Sequence, residues 1–143
     1  MAVKTLDTLI KIHKQKADFL RRELIALEDE LHQLQLLAER LKRDHEQEME
    51  LAVSEPAYSK FFGSYSIHVK KKLASLGEET VRLQEAVEAK RVEISGEYSE
   101  QKKYEIALDN LKQHMREEDK HRLQGRFDEV ANQQFTRLKE NPV

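Results

Sequence analysis

Apolar residues recur along the first third of the chain in alternating steps of three and four positions. Twelve of the fifteen positions in this series are apolar, and no glycine or proline interrupts it. The series consists of Val3, Leu6, Ile10, His13, Ala17, Leu20, Leu24, Leu27, Leu31, Leu34, Ala38, Leu41, His45, Glu48 and Ala52. A sustained period of about 3.5 residues is typical of a coiled-coil helix. The pattern predicts one helix over about residues 3–53, whose narrow apolar stripe requires a partner.

The pattern stops at Ser54-Glu55-Pro56 and then resumes. Proline lacks the amide donor that a continuing helix needs, but it fits the first turn of a new helix. We therefore expect a reversal at about residues 53–57 and a second helix over about 57–138. The second series consists of Val69, Leu73, Leu76, Thr80, Leu83, Val87, Lys90, Ile94, Glu97, Gln101, Tyr104, Leu108, Leu111 and Met115. The predicted fold is all-α, with two long helices in an antiparallel coiled-coil hairpin that forms a single domain over residues 1–143.

The second predicted helix is longer than the first and overhangs it. If the chain reverses near residue 56, residue 3 lies opposite a residue near 110, and roughly 28 residues of helix remain unpaired. Their apolar members are Leu111, Met115, Leu123, Phe127, Val130 and Phe135. This stripe is either a dimer seam or a surface for another protein. The first helix carries few polar stripe residues that would enforce a parallel dimer, so we expect a monomeric or weakly self-associating hairpin.

The composition favours long helices that expose most of their surface to solvent. The chain is 38% hydrophobic and 36% charged, which is too little apolar material for a thick core. It has no cysteine, and therefore no disulfide or thiolate metal site. The longest aliphatic run is four residues, Leu24 to Leu27, which is too short to span a membrane. A net charge of −2 argues against a nucleic-acid binder. We expect a cytoplasmic protein.

The chain offers no set of residues suited to catalysis, cofactor binding or metal binding. Glu118 and His121 have the spacing used in di-iron helical bundles, but those sites need two such motifs, and no second Glu-x-x-His occurs. A nucleotide-binding Gly-x-x-x-x-Gly-Lys loop is also missing. Acidic pairs such as Glu78 and Glu79 are abundant, but a two-helix rod has no cleft to shift their pKa values. The sequence predicts a protein that is not an enzyme.

The reversal carries an unusual group of residues. Residues 56–73 contain four lysines and no acidic residue. Four of the nine aromatic residues also lie here: Tyr58, Phe61, Phe62 and Tyr65. These tip aromatics either plug the turn or bind a partner, and the sequence alone favours neither interpretation.

The whole chain resembles the flagellar export protein FliJ and its YscO-like relatives in type III secretion. The resemblance rests on the length, the opening Leu6-Asp7-Thr8-Leu9-Ile10-Lys11-Ile12 and the long hairpin with an extended second helix. Two further stretches look like segments of that family: Glu100-Gln101-Lys102-Lys103-Tyr104-Glu105 and Phe127-Asp128-Glu129-Val130-Ala131.

The resemblance implies a stalk similar to the coiled-coil rotor of rotary ATPases. Such a stalk binds a hexameric export ATPase, promotes its ring assembly or activity, contacts an export-gate membrane protein and handles export chaperones. It implies a cytoplasmic location at the inner membrane, with membrane contact through partners only. The overhang would supply the ring contact through Leu111, Met115, Arg122, Arg126, Phe127 and Val130. The tip aromatics would supply a second contact.

Two other classes of protein fit parts of the pattern. A homodimeric scaffold or tether would use the overhang as its own dimer seam. A prefoldin-like chaperone subunit also has two long helices, but it needs short strands at the hairpin base, and the stretch around Pro56 has few β-branched residues. A coiled coil associated with nucleic acid is the weakest alternative because of the charge balance.

Overall fold

The computed structural model describes residues 2–140, and residues 1 and 141–143 of the predicted domain lie outside the described part. It contains two α-helices, α1 (Ala2–Ser54) and α2 (Pro56–Glu140). Glu55 is the one non-helical residue within the described range, and no strand occurs there. The all-α prediction and the longer second helix are therefore confirmed.

The break between the helices has a local cause at Pro56. The Glu55 amide donates to the Leu51 carbonyl over 2.9 Å, which completes the last turn of α1. The Glu55 carbonyl accepts from the Tyr58 amide over 3.2 Å and starts α2. Pro56 therefore occupies the first helical position of α2, where its missing amide hydrogen costs nothing. The break between α1 and α2 lies at Glu55, within the predicted range of residues 53–57.

The chain divides into two compact units. The hairpin unit comprises residues 15–97, and the terminal unit comprises residues 1–14 together with 98–143. In the hairpin unit, His45 of α1 meets Ser66 of α2 across 2.9 Å, and Glu23 of α1 pairs with Lys90 of α2. Residue numbers fall along α1 as they rise along α2, so the two helices run antiparallel there. Its buried apolar residues are Ala17, Val69, Leu76, Val87 and Ile94.

In the terminal unit, the first turns of α1 pack against one stretch of α2. His13 and Tyr104 stack with ring centroids 5.4 Å apart, and Leu108 is buried. Leu111 is half-buried. Every described residue of α2 after Leu111, from 112 to 140, is exposed. We call residues 112–140 the distal segment.

The predicted apolar stripes are the buried stripes. All fifteen stripe positions of α1 are buried or half-buried, and so are the α2 positions from Val69 to Leu111. The exception is Met115, which is 48% exposed. Met115 follows the last packed turn of the terminal unit, so the stripe ends there because no α1 residue covers it.

Ion pairs connect the polar part of the α2 stripe to α1. In the hairpin unit, Lys90 Nζ lies 2.5 Å from the Glu23 carboxylate and 3.8 Å from that of Glu93. The pKa of Lys90 is raised, and the main cause is its hydrogen bond to Glu23. Desolvation of the largely covered side chain acts in the other direction and lowers the pKa by less. Arg91 reaches Glu28 of α1 over 3.4 Å. These contacts link the two helices at the polar stripe position between the buried residues Val87 and Ile94.

Candidate functional site

The tip aromatics divide into a packed pair and an exposed pair. Phe62 and Tyr65 are half-buried, with ring centroids 5.4 and 6.3 Å from that of His45. Tyr58 is 48% exposed and Phe61 is 76% exposed. The interpretation that the aromatics plug the turn therefore fits Phe62 and Tyr65, and partner binding by Tyr58 and Phe61 stays a prediction. Packing accounts for Phe62 and Tyr65, whereas packing does not account for Phe61.

The packed pair surrounds a polar contact between the helices. His45 Nε2 and Ser66 Oγ share a hydrogen bond of 2.9 Å, which satisfies a polar group inside the apolar stripe. Sequence reasoning did not identify Ser66. The signal was indirect: a histidine at a stripe position needs a polar neighbour across the seam, and Ser66 lies beside the stripe residues of α2.

Truncation of the two phenylalanines is expected to separate packing from recognition. Phe62→Ala removes ring contacts with His45 and Tyr65 and should lower the free energy of unfolding by about 1–3 kcal/mol, less than the roughly 3–5 kcal/mol of a fully buried phenylalanine. Phe61→Ala should change it by less than about 0.5 kcal/mol because the ring lies in water. Thermal melts of both variants make the comparison. Equal losses would contradict this division of the tip.

The distal segment is a helix with large apolar side chains in water. Its exposed apolar residues, with fractional exposures between 48% and 74%, are Met115, Leu123, Phe127, Val130, Phe135 and Leu138. A helix within a protein gains most of its stability from packing of an apolar face. Because nothing in the described chain covers this segment, its apolar side chains are available to another molecule.

Helical geometry separates the predicted overhang residues into two neighbouring faces. At about 100° per residue, Met115, Arg122 and Arg126 lie within roughly 40° of Leu108 and continue the seam side of α2. The stripe on that side becomes charged beyond Met115. A second group lies roughly 40–120° further around the helix and consists of Leu123, Phe127, Val130 and Leu138. The single apolar stripe expected from the sequence is therefore divided, because a straight α-helix does not hold those residues in line. One face is mainly basic but also carries Asp119, the next is mainly apolar but also carries Arg116 and Lys120, and Phe135 lies on the side opposite Leu108.

The sequence predicts no catalytic or metal site, and the structure shows where the candidate ligands lie. Glu118 lies 3.2 Å from His114 Nε2, one turn before it, rather than serving a site with His121. Among residues 2–140, no group of three or more His, Asp or Glu side chains is placed to hold a metal ion. Within the same range, neither helix has a stretch long and apolar enough to cross a membrane.

No protein-family model, curated protein or solved structure matches this chain. The tip and the distal segment are two features from which a function can be argued.

Proposed function

We propose that the chain is a non-enzymatic stalk of a flagellar or related type III export apparatus, of the FliJ and YscO-like kind. In this role it binds the hexameric export ATPase and promotes ring assembly or activity. The observation that carries the proposal is the distal segment: α2 remains helical to Glu140 although every residue from 112 to 140 is exposed. The direct test is the turnover of a cognate export ATPase with and without the full chain.

The two faces of the distal segment support a partner that surrounds the helix. Arg122 and Arg126 lie on one side, and Leu123, Phe127 and Val130 lie on the next. A flat partner would contact one face and leave the other in water. A ring pore contacts both, with apolar residues against the second face and acidic groups near the arginines. Complementary charge would guide the helix into the pore and select its orientation.

The exposed pair at the tip supports a second contact in the same apparatus. Tyr58 and Phe61 present aromatic surface beside a segment without acidic residues. Exposed aromatic side chains are frequent anchors of protein interfaces. We assign this end to the export gate or to export chaperones, which would hold the stalk at the cytoplasmic face of the inner membrane.

A homodimeric scaffold is the second candidate because the apolar face of the distal segment could also pair with its copy. A mass measurement by light scattering separates the two, since a stalk is monomeric and a scaffold has twice the mass. The prefoldin-like alternative lacks its expected strands within residues 2–140.

Charge reversal at the basic face is expected to weaken ATPase stimulation in a salt-dependent way. Arg122→Glu with Arg126→Glu should raise the chain concentration for half-maximal stimulation roughly ten-fold at about 10 mM ionic strength. The effect should nearly vanish at about 1 M, where the Debye length falls from about 30 Å to about 3 Å. Titrations of ATPase turnover at both ionic strengths measure it. Arg40→Glu with Arg43→Glu changes the same charge on exposed residues of α1, and an equal loss there would contradict a specific contact.

A further inference from the structure

The first turns of α2 carry lysines but no acidic residue. The 22 residues from 56 to 77 contain four lysines and no aspartate or glutamate. All four lysines, Lys60, Lys70, Lys71 and Lys72, are exposed. None of them pairs with a carboxylate of a described residue, in contrast to Lys90 and Lys103 further along α2. Their charges are therefore not neutralised within the described part of the chain.

Two of these lysines and an exposed isoleucine share the side of α2 that faces away from α1. Val69 is 2% exposed and marks the side of α2 packed on α1. At about 100° per residue, Lys60, Ile67 and Lys71 lie within roughly 20° of the opposite direction, and Lys70 lies roughly 80° from it. Ile67 is 59% exposed between the lysine turns. We call Lys60, Ile67, Lys70 and Lys71 the outer basic face.

Glu78 of α2 lies on the same outward side, seven residues beyond Lys71 or about 10 Å along the helix, and its carboxylate lies 3.9 Å from Arg82. The acidic residues of α1 near the tip lie on another side of the hairpin unit. Glu39, Glu46 and Glu50 are on α1, at roughly 100–140° around that helix from the seam residue His45. Packed helix axes are about 8–10 Å apart, so these carboxylates lie more than a helix diameter from the outer basic face. At physiological ionic strength the Debye length is about 8 Å. The acidic groups of α1 therefore reduce the positive potential at the lysines only weakly.

We propose that the outer basic face binds the anionic surface of a lipid bilayer directly. A helix face is convex and holds no pocket, so it suits an extended charged surface rather than a small anion. Lysine acts as a point charge without the fork geometry of arginine, which suits a diffuse layer of headgroup charge more than a defined carboxylate of a protein. Ile67 adds an apolar side chain that enters the interfacial region, as in helices that lie on membranes. This contact differs from the expectation of membrane association through partners only, and it does not depend on the proposed stalk function.

Vesicle co-sedimentation of the full chain tests the proposal. Vesicles of phosphatidylcholine with about one third phosphatidylglycerol should bind the chain at low salt, and vesicles of phosphatidylcholine alone should not. Each lysine near an anionic surface increases the binding constant about five-fold. The triple variant Lys60→Gln, Lys70→Gln, Lys71→Gln should therefore bind about 100-fold more weakly. Ile67→Ser should weaken binding while leaving its salt dependence unchanged.

A matched variant controls for net charge. Lys102→Gln, Lys112→Gln and Lys139→Gln remove the same charge from exposed positions outside the hairpin unit, and this variant should bind the anionic vesicles as the unmodified chain does. Equal binding by both triple variants would overturn the assignment of the face. Binding to polyglutamate without binding to anionic vesicles would also overturn it and would indicate an acidic protein partner. A chain that binds neither probe leaves the face without the proposed ligand, and the proposal fails.

Discussion

Removal of residues 112–143 is expected to leave the hairpin unit folded and to abolish stimulation of the export ATPase. The described part of this region buries none of its residues, so its loss removes almost no packing from the rest of the chain. Circular dichroism should show a thermal midpoint within a few degrees of that of the full chain, with helical signal reduced in proportion to the residues removed. Turnover of the ATPase with the truncated chain should equal turnover without any added chain.

A substitution in the full chain controls for an effect of truncation on folding. Phe127 and Val130 are 72% and 51% exposed, so replacing both with serine costs little stability. The double variant should fold normally and should lose most of the stimulation, because the apolar face is the larger part of the proposed contact. If the truncated chain stimulates turnover as well as the full chain does, the ring contact lies elsewhere and the proposed role of the distal segment is wrong.

The fold was largely predictable because it depends on local rules. A 3.5-residue apolar period specifies which side of each helix is buried, and all fifteen predicted positions of α1 are covered. Pro56 marks the start of α2 because it fits only the first turn of a helix. No long-range information was needed for either prediction. The end of the packed stripe after Leu111 also follows, to within a turn, from counting residues back from the reversal.

The specific contacts were less predictable because they depend on side chains from both helices. The Lys90–Glu23 pair and the His45–Ser66 hydrogen bond need the register of the seam to within one turn. The rotation of the Phe127 face away from Met115 appears only when α2 is treated as an unbroken helix through residue 140. A partner for these surfaces is not encoded in contacts within the chain.

Leu76→Ala is expected to lower stability by more than the truncation of any other single aliphatic side chain in the hairpin unit. Leu76 is 6% exposed in the middle of the seam. Replacing a buried leucine with alanine removes its transfer free energy and leaves a cavity, at a cost of about 2–5 kcal/mol. Two helices in contact have few neighbouring groups that can close such a gap. For a chain of this length the loss corresponds to a decrease in Tm of about 5–15 °C, which a thermal melt followed by circular dichroism measures.

Ile67→Ala is the matched control because it also truncates a branched aliphatic side chain to alanine, nine residues earlier on the same helix. Ile67 is 59% exposed, so its truncation should change the free energy of unfolding by less than about 0.5 kcal/mol. Both substitutions introduce alanine, which favours helix, so helix propensity does not account for a difference in stability between the two variants. A large difference between the two variants would show that the seam holds the helices together. Equal and small losses would mean that Leu76 contributes little packing, and the hairpin would then depend on the ion pairs near Lys90 instead.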